Sequence, residues 1–227
     1  LLGQSSLKKV FAKNSQMDST TTQKRSGRPK SEEKRDAIRR AAAQLFLDNG
    51  LHRSSMDAVA AEAGVSKQTV YSHFRSKEEL FAAVIAGKVE EYFLDATVCH
   101  PLGDLRTQLI ELGRRFVDLI YDEEAVSMWR TVIAESVAHP EIADTFFEQG
   151  PRRVFAVLRE LMAECGRRGL LQIDDPEEAA GFLVSLLRGH PHMEVLCNLS
   201  PPPPVEWRAR HVPLMIDRFL ELYRLSR

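Results

Sequence analysis

Apolar side chains recur at three- and four-residue intervals along most of the chain, the spacing that places them on one face of an α-helix. The first such helix is expected to start with Ser31 as its N-cap and to end at Asn49-Gly50. Ser55, Ser66 and Ser76 each precede another apolar run and are expected to cap three further helices. No segment shows the alternation typical of a strand, so the pattern predicts an all-α fold.

The remainder of the chain is expected to form longer amphipathic helices. The apolar positions place them near 105–119, 126–137, 151–165, 176–187 and 207–224, with the second of these ending before Pro140. Residues 200–204, a serine followed by four prolines, are expected to form a stiff extended connector. The last two helices carry wide apolar faces that include Leu186 and Phe219. These faces predict a homodimer in which the two helices pack against their copies.

The charge of the chain is divided unevenly. The net charge is only −1, but residues 1–77 hold 15 Lys and Arg against 7 Asp and Glu, a net charge of +8. The remaining residues hold 16 basic and 25 acidic side chains, a net charge of −9. A basic first third predicts a polyanionic partner for that part of the chain alone.

Residues 1–30 show no helical period and are rich in Ser, Thr, Gln, Lys and Arg, which predicts a disordered basic arm. Two interpretations of the arm stay open at this point. Its cations could follow DNA phosphates or a minor groove, or they could serve only to keep the tail in solution. The cations in question lie just before the first helix: Lys24, Arg25, Arg28 and Lys30.

Several classes of function find no support in the sequence. The three cysteines, Cys99, Cys165 and Cys197, are widely spaced, so neither a disulfide framework nor a zinc site is indicated. No run approaches the ~18 apolar residues of a membrane span, and no secretory signal is visible, so a cytoplasmic location is expected. No catalytic triad, phosphate-binding glycine loop or carboxylate pair stands out, so an enzyme is the disfavoured alternative and no cofactor is expected.

Residues 55–74 fit a helix-turn-helix. A capped helix is followed by the turn Ala63-Gly64-Val65 and a second short helix. Glycine allows the tight backbone turn, and the valines of the two helices can close a small core between them. The alternative is a solvated helical hairpin without a partner, but the concentration of basic charge here favours DNA.

The second of these helices has a polar, donor-rich face. Lys67, Gln68, Tyr71 and Ser72 share one arc of the helical projection, whereas Val70 and Phe74 point elsewhere. Gln can bind adenine through two hydrogen bonds, and Lys can reach the acceptors of guanine. The side chains of Tyr71, His73 and Lys77 are suited to bind phosphate oxygens. The start of the preceding helix at Ser55 is suited to the same role.

The stretch SMDAVAAEAGVSKQTVYSHFRSKEEL at 55–80, with LFLDNG at 45–50 before it, resembles the DNA-binding signature of the TetR/AcrR family of transcriptional regulators. The resemblance covers about residues 32–90. Residues 126–190 resemble the AefR-type C-terminal domain, on the motifs Trp129-Arg130, Glu135, His139-Pro140-Glu141 and Gly150-Pro151.

The resemblance implies roles for named side chains. Lys67, Gln68 and Ser72 would face bases, and Ser55 would meet a phosphate. The DNA backbone would be held by Thr69, Tyr71, His73 and Lys77. Many members carry Gly or Pro where Gln68 stands, so the base contact of Gln68 would be particular to this regulator.

The resemblance also implies a ligand pocket in the second domain. Aromatic candidates for its wall suit an apolar ligand, although aromatic residues at helical spacing are more often core. The candidates are Tyr92, Phe116, Tyr121, Trp129, Ile133, Phe146 and Phe155. Arg130 and Glu135 could anchor a polar group of the ligand or could form an internal ion pair, and His139 is expected to shape a turn.

The sequence as a whole therefore predicts a repressor that binds a palindromic double-stranded DNA operator as a homodimer and is released by a small-molecule effector. The expected domains are an arm at 1–30, a helix-turn-helix domain at 31–77 and a ligand-binding and dimerisation domain at 78–227. A DNA-binding architectural protein without a ligand is the remaining alternative, and a fully filled second domain would favour it.

Overall fold

The computed structural model describes residues 30–93 and 104–225, and over these ranges the chain is helical, without strands. The basic side chains predicted to form the arm, and Cys99, lie outside the described residues. In chain order the helices are α1 Lys30–Asn49, α2 Met56–Glu62, α3 Lys67–His73, α4 Lys77–Phe93, α5 Leu105–Ile120, α6 Glu123–Glu135, α7 Pro140–Gln149, α8 Pro151–Arg167, α9 Pro176–Arg188, α10 Pro191–Leu196 and α11 Val205–Leu222.

The predicted serine caps of α2, α3 and α4 form. The hydroxyl oxygens of Ser55 and Ser66 accept from the N–H groups of Ala58 and Thr69, and that of Ser76 accepts from the N–H of Glu79 at 3.1 Å. Each serine thus satisfies one backbone donor that the first helical turn leaves free. The first helix begins at Lys30, two residues earlier than Ser31 as N-cap predicts, and includes Ser31.

Two short helices, α7 and α10, were not predicted from the sequence. Each begins with proline at its first or second position, where the missing N–H costs no helical hydrogen bond. Pro140 was expected only to end the preceding helix, but it also opens the next one. Both helices are shorter than the window over which a 3.6-residue period is convincing.

Helix α6 is rotated relative to the prediction. Its inward side chains are Val126, Met128 and Val132, whereas Ile133 is 53% exposed. Val137, which the prediction placed inside this helix, lies beyond its end and is 93% exposed. The sequence has two overlapping apolar stripes in this stretch, and only packing against neighbouring helices selects one of them.

Residues Lys34–Arg227 form one compact unit, and the preceding unit, Leu1–Glu33, is described only for the first turn of α1. The larger unit contains two buried apolar clusters. One joins α5 with α8, α9, α10 and α11. The other joins α1, α2, α3 and α4, and it includes Met128 and Val132 of α6 and Ile142 and Phe146 of α7.

The second cluster crosses the expected domain boundary at residue 77. Val59 and Val70 of the helix-turn-helix lie in the same cluster as Leu80, Phe81 and Ile85 of α4. The division into domains at 77 remains a prediction about function, since packing is continuous across it.

The close packing of helices around Gly113 provides a test of this arrangement. A Cβ atom there would lie 2.9 Å from Val212 Cγ1 and 3.1 Å from Leu187 Cδ2, both on buried residues, whereas a Cβ at Gly181 would meet nothing within 4 Å. We expect Gly113→Ala to lower the free energy of unfolding by about 1 kcal/mol, because overpacking exceeds the gain in helix propensity. Gly181→Ala, the matched control, should raise it by up to about 1 kcal/mol. Urea unfolding measures both, and equal stabilisation by the two substitutions would contradict the packing.

Candidate functional site

The turn between α2 and α3 is built as the sequence predicts. Gly64 has a φ of +64°, in the left-handed region that favours glycine. The N–H of Val65 donates to the carbonyl of Ala60 at 3.0 Å. Val59 and Val70 are buried between the two helices. The packed turn fixes the direction in which α3 projects from the rest of the molecule.

The outer face of α3 carries the predicted polar arc. Lys67, Gln68, Tyr71 and Ser72 are all exposed, whereas Val70 and Phe74 are completely buried. Tyr71 is 45% exposed. The face therefore offers hydrogen-bond donors, one cation and one aromatic ring to an external partner.

Three other predicted DNA contacts lie beside this arc. Ser55 is exposed at the start of α2, and His73 is half-buried at the end of α3. The Thr69 hydroxyl lies 2.8 Å from that of Ser66. The Ser72 hydroxyl, on the arc itself, donates to the carbonyl of Thr69 at 2.7 Å. These internal bonds stiffen α3, whose seven residues are too few for a stable isolated helix.

Lys67 is paired within the molecule. Its ammonium lies 2.8 Å from one carboxylate oxygen of Asp57 and 2.9 Å from the other. The hydrogen bond to Asp57 raises the pKa of Lys67. Both side chains are exposed to solvent, and such surface pairs are weak, so a phosphate or a base acceptor can replace the carboxylate.

Lys77 has an internal role in addition to the predicted one. Its ammonium donates to the carbonyls of His52 and Ser54, at 2.9 and 3.1 Å. These bonds hold the first turn of α4 against the loop that leads into α2. One of the three ammonium N–H groups remains available for a phosphate.

A second contact joins that loop to the body of the protein. A carboxylate oxygen of Glu135 accepts from the N–H of His52 at 3.3 Å, and the rings of His52 and His139 stack with centroids 4.3 Å apart. Arg130 donates to the carbonyls of Leu196 and Val195. Arg130 and Glu135 therefore neither pair with each other nor line the cavity described next, contrary to both alternatives left by the sequence.

A cavity of about 680 Å³ lies among α1 and α4 to α10. Four predicted residues line it, namely Phe116, Trp129, Phe146 and Phe155. The rings of Trp129 and Phe146 meet edge to face with centroids 4.7 Å apart. Phe147, which was not predicted, completes the aromatic wall at 5.4 Å from Trp129.

The other three predicted lining residues lie elsewhere. The hydroxyl of Tyr92 donates to Asp122 at 2.9 Å. Tyr121 is 3% exposed, and its hydroxyl donates to the Arg188 carbonyl at 2.8 Å. Ile133 points to the outside of α6. The hydroxyl groups of both tyrosines are hydrogen-bonded inside the protein, so the two side chains stabilise the fold.

The charged side chains of the cavity wall are mostly exposed and therefore border its opening; they include Arg40, Arg159, Arg188 and Glu177. Lys88 lies deeper and is bound by Asp122 at 3.0 Å and by Glu124 at 2.9 Å. Burial alone would lower the pKa of Lys88, but the hydrogen bonds to these two carboxylates raise it overall. This cluster of charges holds α4 against the start of α6.

His192 is the buried polar side chain of the cavity wall, and the sequence analysis missed it. It is 6% exposed, its Nε2 has no hydrogen-bond partner, and its ring lies edge-on to Tyr121 with centroids 5.6 Å apart. Burial, with a smaller contribution from Arg188, lowers its pKa to about 4 against a hydrogen bond to the Ile120 carbonyl. The imidazole is therefore neutral at neutral pH. It belongs to α10, a helix too short for its period to be recognised.

Over the described residues, no helix is long and apolar enough to cross a membrane. The same residues contain no group of three or more His, Cys, Asp and Glu that could hold a metal ion.

Two family profiles together match most of the chain. One, described as bacterial regulatory proteins of the tetR family, matches residues 38–84. The other, described as the C-terminal domain of AefR-like transcriptional repressors, matches residues 107–225.

Individual relatives agree with these profiles. The HTH-type transcriptional repressor BepR of Brucella suis is 36% identical over 168 residues, which cover 69% of this chain and 78% of that protein. A TetR-family regulator of Mesorhizobium loti has a solved structure with a TM-score of 0.74 and 29% identity, covering 87% of this chain and 100% of that one. The structure of the Flavonoid-responsive Regulator FrrA has a TM-score of 0.68 and 34% identity, covering 84% and 97%.

The lowered pKa of His192 predicts a pH-dependent stability. Below its ordinary pKa of 6.5 the unfolded chain binds a proton that the folded protein excludes down to about pH 4. The contribution of His192 to stability is thus complete above pH 6.5 and is lost as the pH falls to 4, at no more than about 1.4 kcal/mol per pH unit. His192→Phe should remove this contribution, which urea unfolding at pH 7.5, 6 and 5 measures. The wild type and His192→Phe have the same carboxylates, which therefore contribute equally to the change of stability with pH in both. Parallel curves of stability against pH would contradict the burial of a neutral imidazole.

Proposed function

The chain belongs to the TetR family of bacterial regulatory proteins, and from this premise we propose that it is a dimeric repressor of a palindromic operator, released by a small aromatic effector. It is a DNA-binding transcriptional regulator and not an enzyme. The observation that carries the proposal is the position of α4. Its first residue, Lys77, is bonded to the loop that precedes the helix-turn-helix, and its Val84, Ile85 and Val89 line the cavity.

Gln68 and Lys67 are proposed to read bases in the major groove, with Ser72 beside them. Gln68 is exposed and has no competing internal bond among the contacts of the described residues, so its amide is free to pair with adenine. Lys67 exchanges Asp57 for guanine or a phosphate. Tyr71, Thr69, His73, Lys77 and Ser55 would position the helix on the DNA backbone, which sets register without reading sequence.

The dimer is proposed to form through α9 and α11, which pack against each other. Their outward apolar residues include Phe182 at 39% exposure, Leu214 at 51% and Leu222 at 60%. Phe219 is completely buried inside the single chain, so the expectation that it lies on the dimer face was wrong. Two copies would place two α3 helices on one duplex, which compensates for the few base contacts that one short helix offers.

An aromatic effector suits the cavity. Its volume lies within the ~300–1,000 Å³ typical of small-molecule sites, and edge-to-face rings of Trp129, Phe146 and Phe147 form part of its wall. The cavity counts against the alternative of an architectural protein with a filled second domain. The flavonoid response of FrrA supports a planar aromatic effector, and the repressor activity of BepR supports repression.

Release of DNA requires that the effector bind the DNA-incompetent conformation more tightly than the competent one. Helix α4 can transmit the difference, because it joins the cavity wall to the loop held by Lys77. The ion cluster of Lys88 with Asp122 and Glu124 then determines how α4 moves with α6.

We expect footprinting on the region upstream of the protein's own gene to show two protected half-sites about one helical turn, ~34 Å, apart. Gln68→Ala should relax specificity at one base position in each half-site, at a cost of about 1–3 kcal/mol. Binding-site selection with both proteins measures this change, and identical sequence preferences would exclude base reading by Gln68.

Phe182→Glu tests whether a dimer binds the two half-sites. It changes an exposed apolar residue of α9 far along the chain from α3, and it should reduce the footprint to weak single half-site binding while the thermal unfolding of the monomer is retained. A wild-type footprint on one asymmetric half-site would contradict the dimer.

Effector control is tested by calorimetry with hydroxylated flavones, with and without operator DNA. Coupling of a typical ~1–3 kcal/mol should weaken flavone binding by about 5- to 150-fold when operator is present, because linkage is reciprocal. Trp129→Ala should lower the affinity for flavones and leave operator binding intact. Equal flavone affinity with and without operator would exclude regulation by these ligands, and loss of operator binding together with stability would show that Trp129 is only core.

A further inference from the structure

The geometry points to His192 as the residue that selects effectors bearing a hydroxyl group, through a hydrogen bond from that hydroxyl to Nε2. This inference rests on the proposed function of the cavity as the effector site and names the chemistry that the site would select. It concerns an unpaired polar atom buried at the cavity wall, where the side chains of the other buried lining residues are apolar.

The bonding of the ring determines which nitrogen can accept. Nε2 has no hydrogen-bond partner, and the Ile120 backbone favours a proton on the ring; we therefore assign that proton to Nδ1. In a neutral imidazole only one nitrogen carries hydrogen. Nε2 is therefore a lone-pair acceptor, and the Ile120 carbonyl fixes this tautomer.

No neighbouring group described in the protein is placed to satisfy that acceptor. The ring packed edge-on against His192 is Tyr121, whose hydroxyl is already bonded to the Arg188 carbonyl. The ammonium of Lys88 is bound by carboxylates. The other buried wall residues have apolar side chains or none: Ile85, Phe116, Leu119, Met128, Phe146, Gly150 and Val154.

An unsatisfied buried acceptor is costly, so a ligand that brings a donor gains more than the ordinary net value of a hydrogen bond. Nε2 itself is covered by its neighbours, so binding includes a tilt of the imidazole about χ2, a torsion with a broad energy well. A phenolic hydroxyl supplies the donor on an aromatic body that suits the rest of the wall. A methyl ether of the same phenol has nearly the same shape and no donor.

The test compares hydroxyflavones, substituted at the 3, 6, 7 or 4′ position, with their methyl ethers. Calorimetry on the full-length wild type should show at least one hydroxyflavone binding about tenfold or more tightly than its ether. His192→Phe retains an aromatic ring against Tyr121 but no acceptor, and it should bring that ratio close to one. His192→Gln, whose amide oxygen can accept, should restore part of the preference.

Trp129→Phe is the matched control within the same wall. It should weaken the hydroxyflavone and its ether alike, so their ratio stays at the wild-type value. Unchanged operator binding without flavone, and thermal unfolding no lower than that of the wild type, show that each variant is folded.

Two results would overturn the inference: equal binding of the hydroxyflavone and its ether to the wild type, or survival of the preference in His192→Phe. In either case His192 does not select the hydroxyl. Release of operator by either compound would still uphold the proposed function. If no flavone of the series binds, hydroxylated aromatic ligands of this kind are excluded, whereas operator binding by the protein alone still decides its function on DNA.

Discussion

The packing of α4 into the core of the helix-turn-helix is the constraint on which the rest of the structure depends. Phe81 of α4 meets Phe46 of α1 edge to face, with ring centroids 5.9 Å apart, and both are completely or almost completely buried. The same apolar cluster continues to Val70 of α3 and to Phe146 of α7. Because close-packed interiors transmit displacements rather than absorb them, α3 cannot change its direction independently of the cavity wall.

This shared core connects the wall of the cavity to the helix-turn-helix. Phe146 belongs to the apolar cluster that includes residues of α3 and also lines the cavity, so one side chain is common to the cluster and the cavity wall. Polar contacts also hold the two ends of α4 in place. Lys77 holds the end beside the helix-turn-helix through two backbone carbonyls, and Lys88 holds the cavity end through carboxylates.

The cavity combines a mostly apolar interior with a charged opening. Exposed arginines border the opening, and apolar and aromatic groups fill most of the interior wall. In such surroundings a single polar atom has a large effect, because water does not compete for it. In the proposed effector site His192 would therefore have more influence on ligand choice than its small share of the wall suggests, and its neutral state follows from the same burial.

The sequence by itself determined the all-helical fold, the capped helix-turn-helix and the polar arc of α3, because these depend on local spacing and on serine caps that act within one helical turn. It also identified Phe116, Trp129, Phe146 and Phe155, whose size directs them to the interior. Only the tertiary structure decided which stripe of α6 faces inward, that Phe219 is core, and that His192 lies at the cavity. These outcomes depend on contacts between residues distant in sequence, and such contacts leave no periodic signal in any one helix.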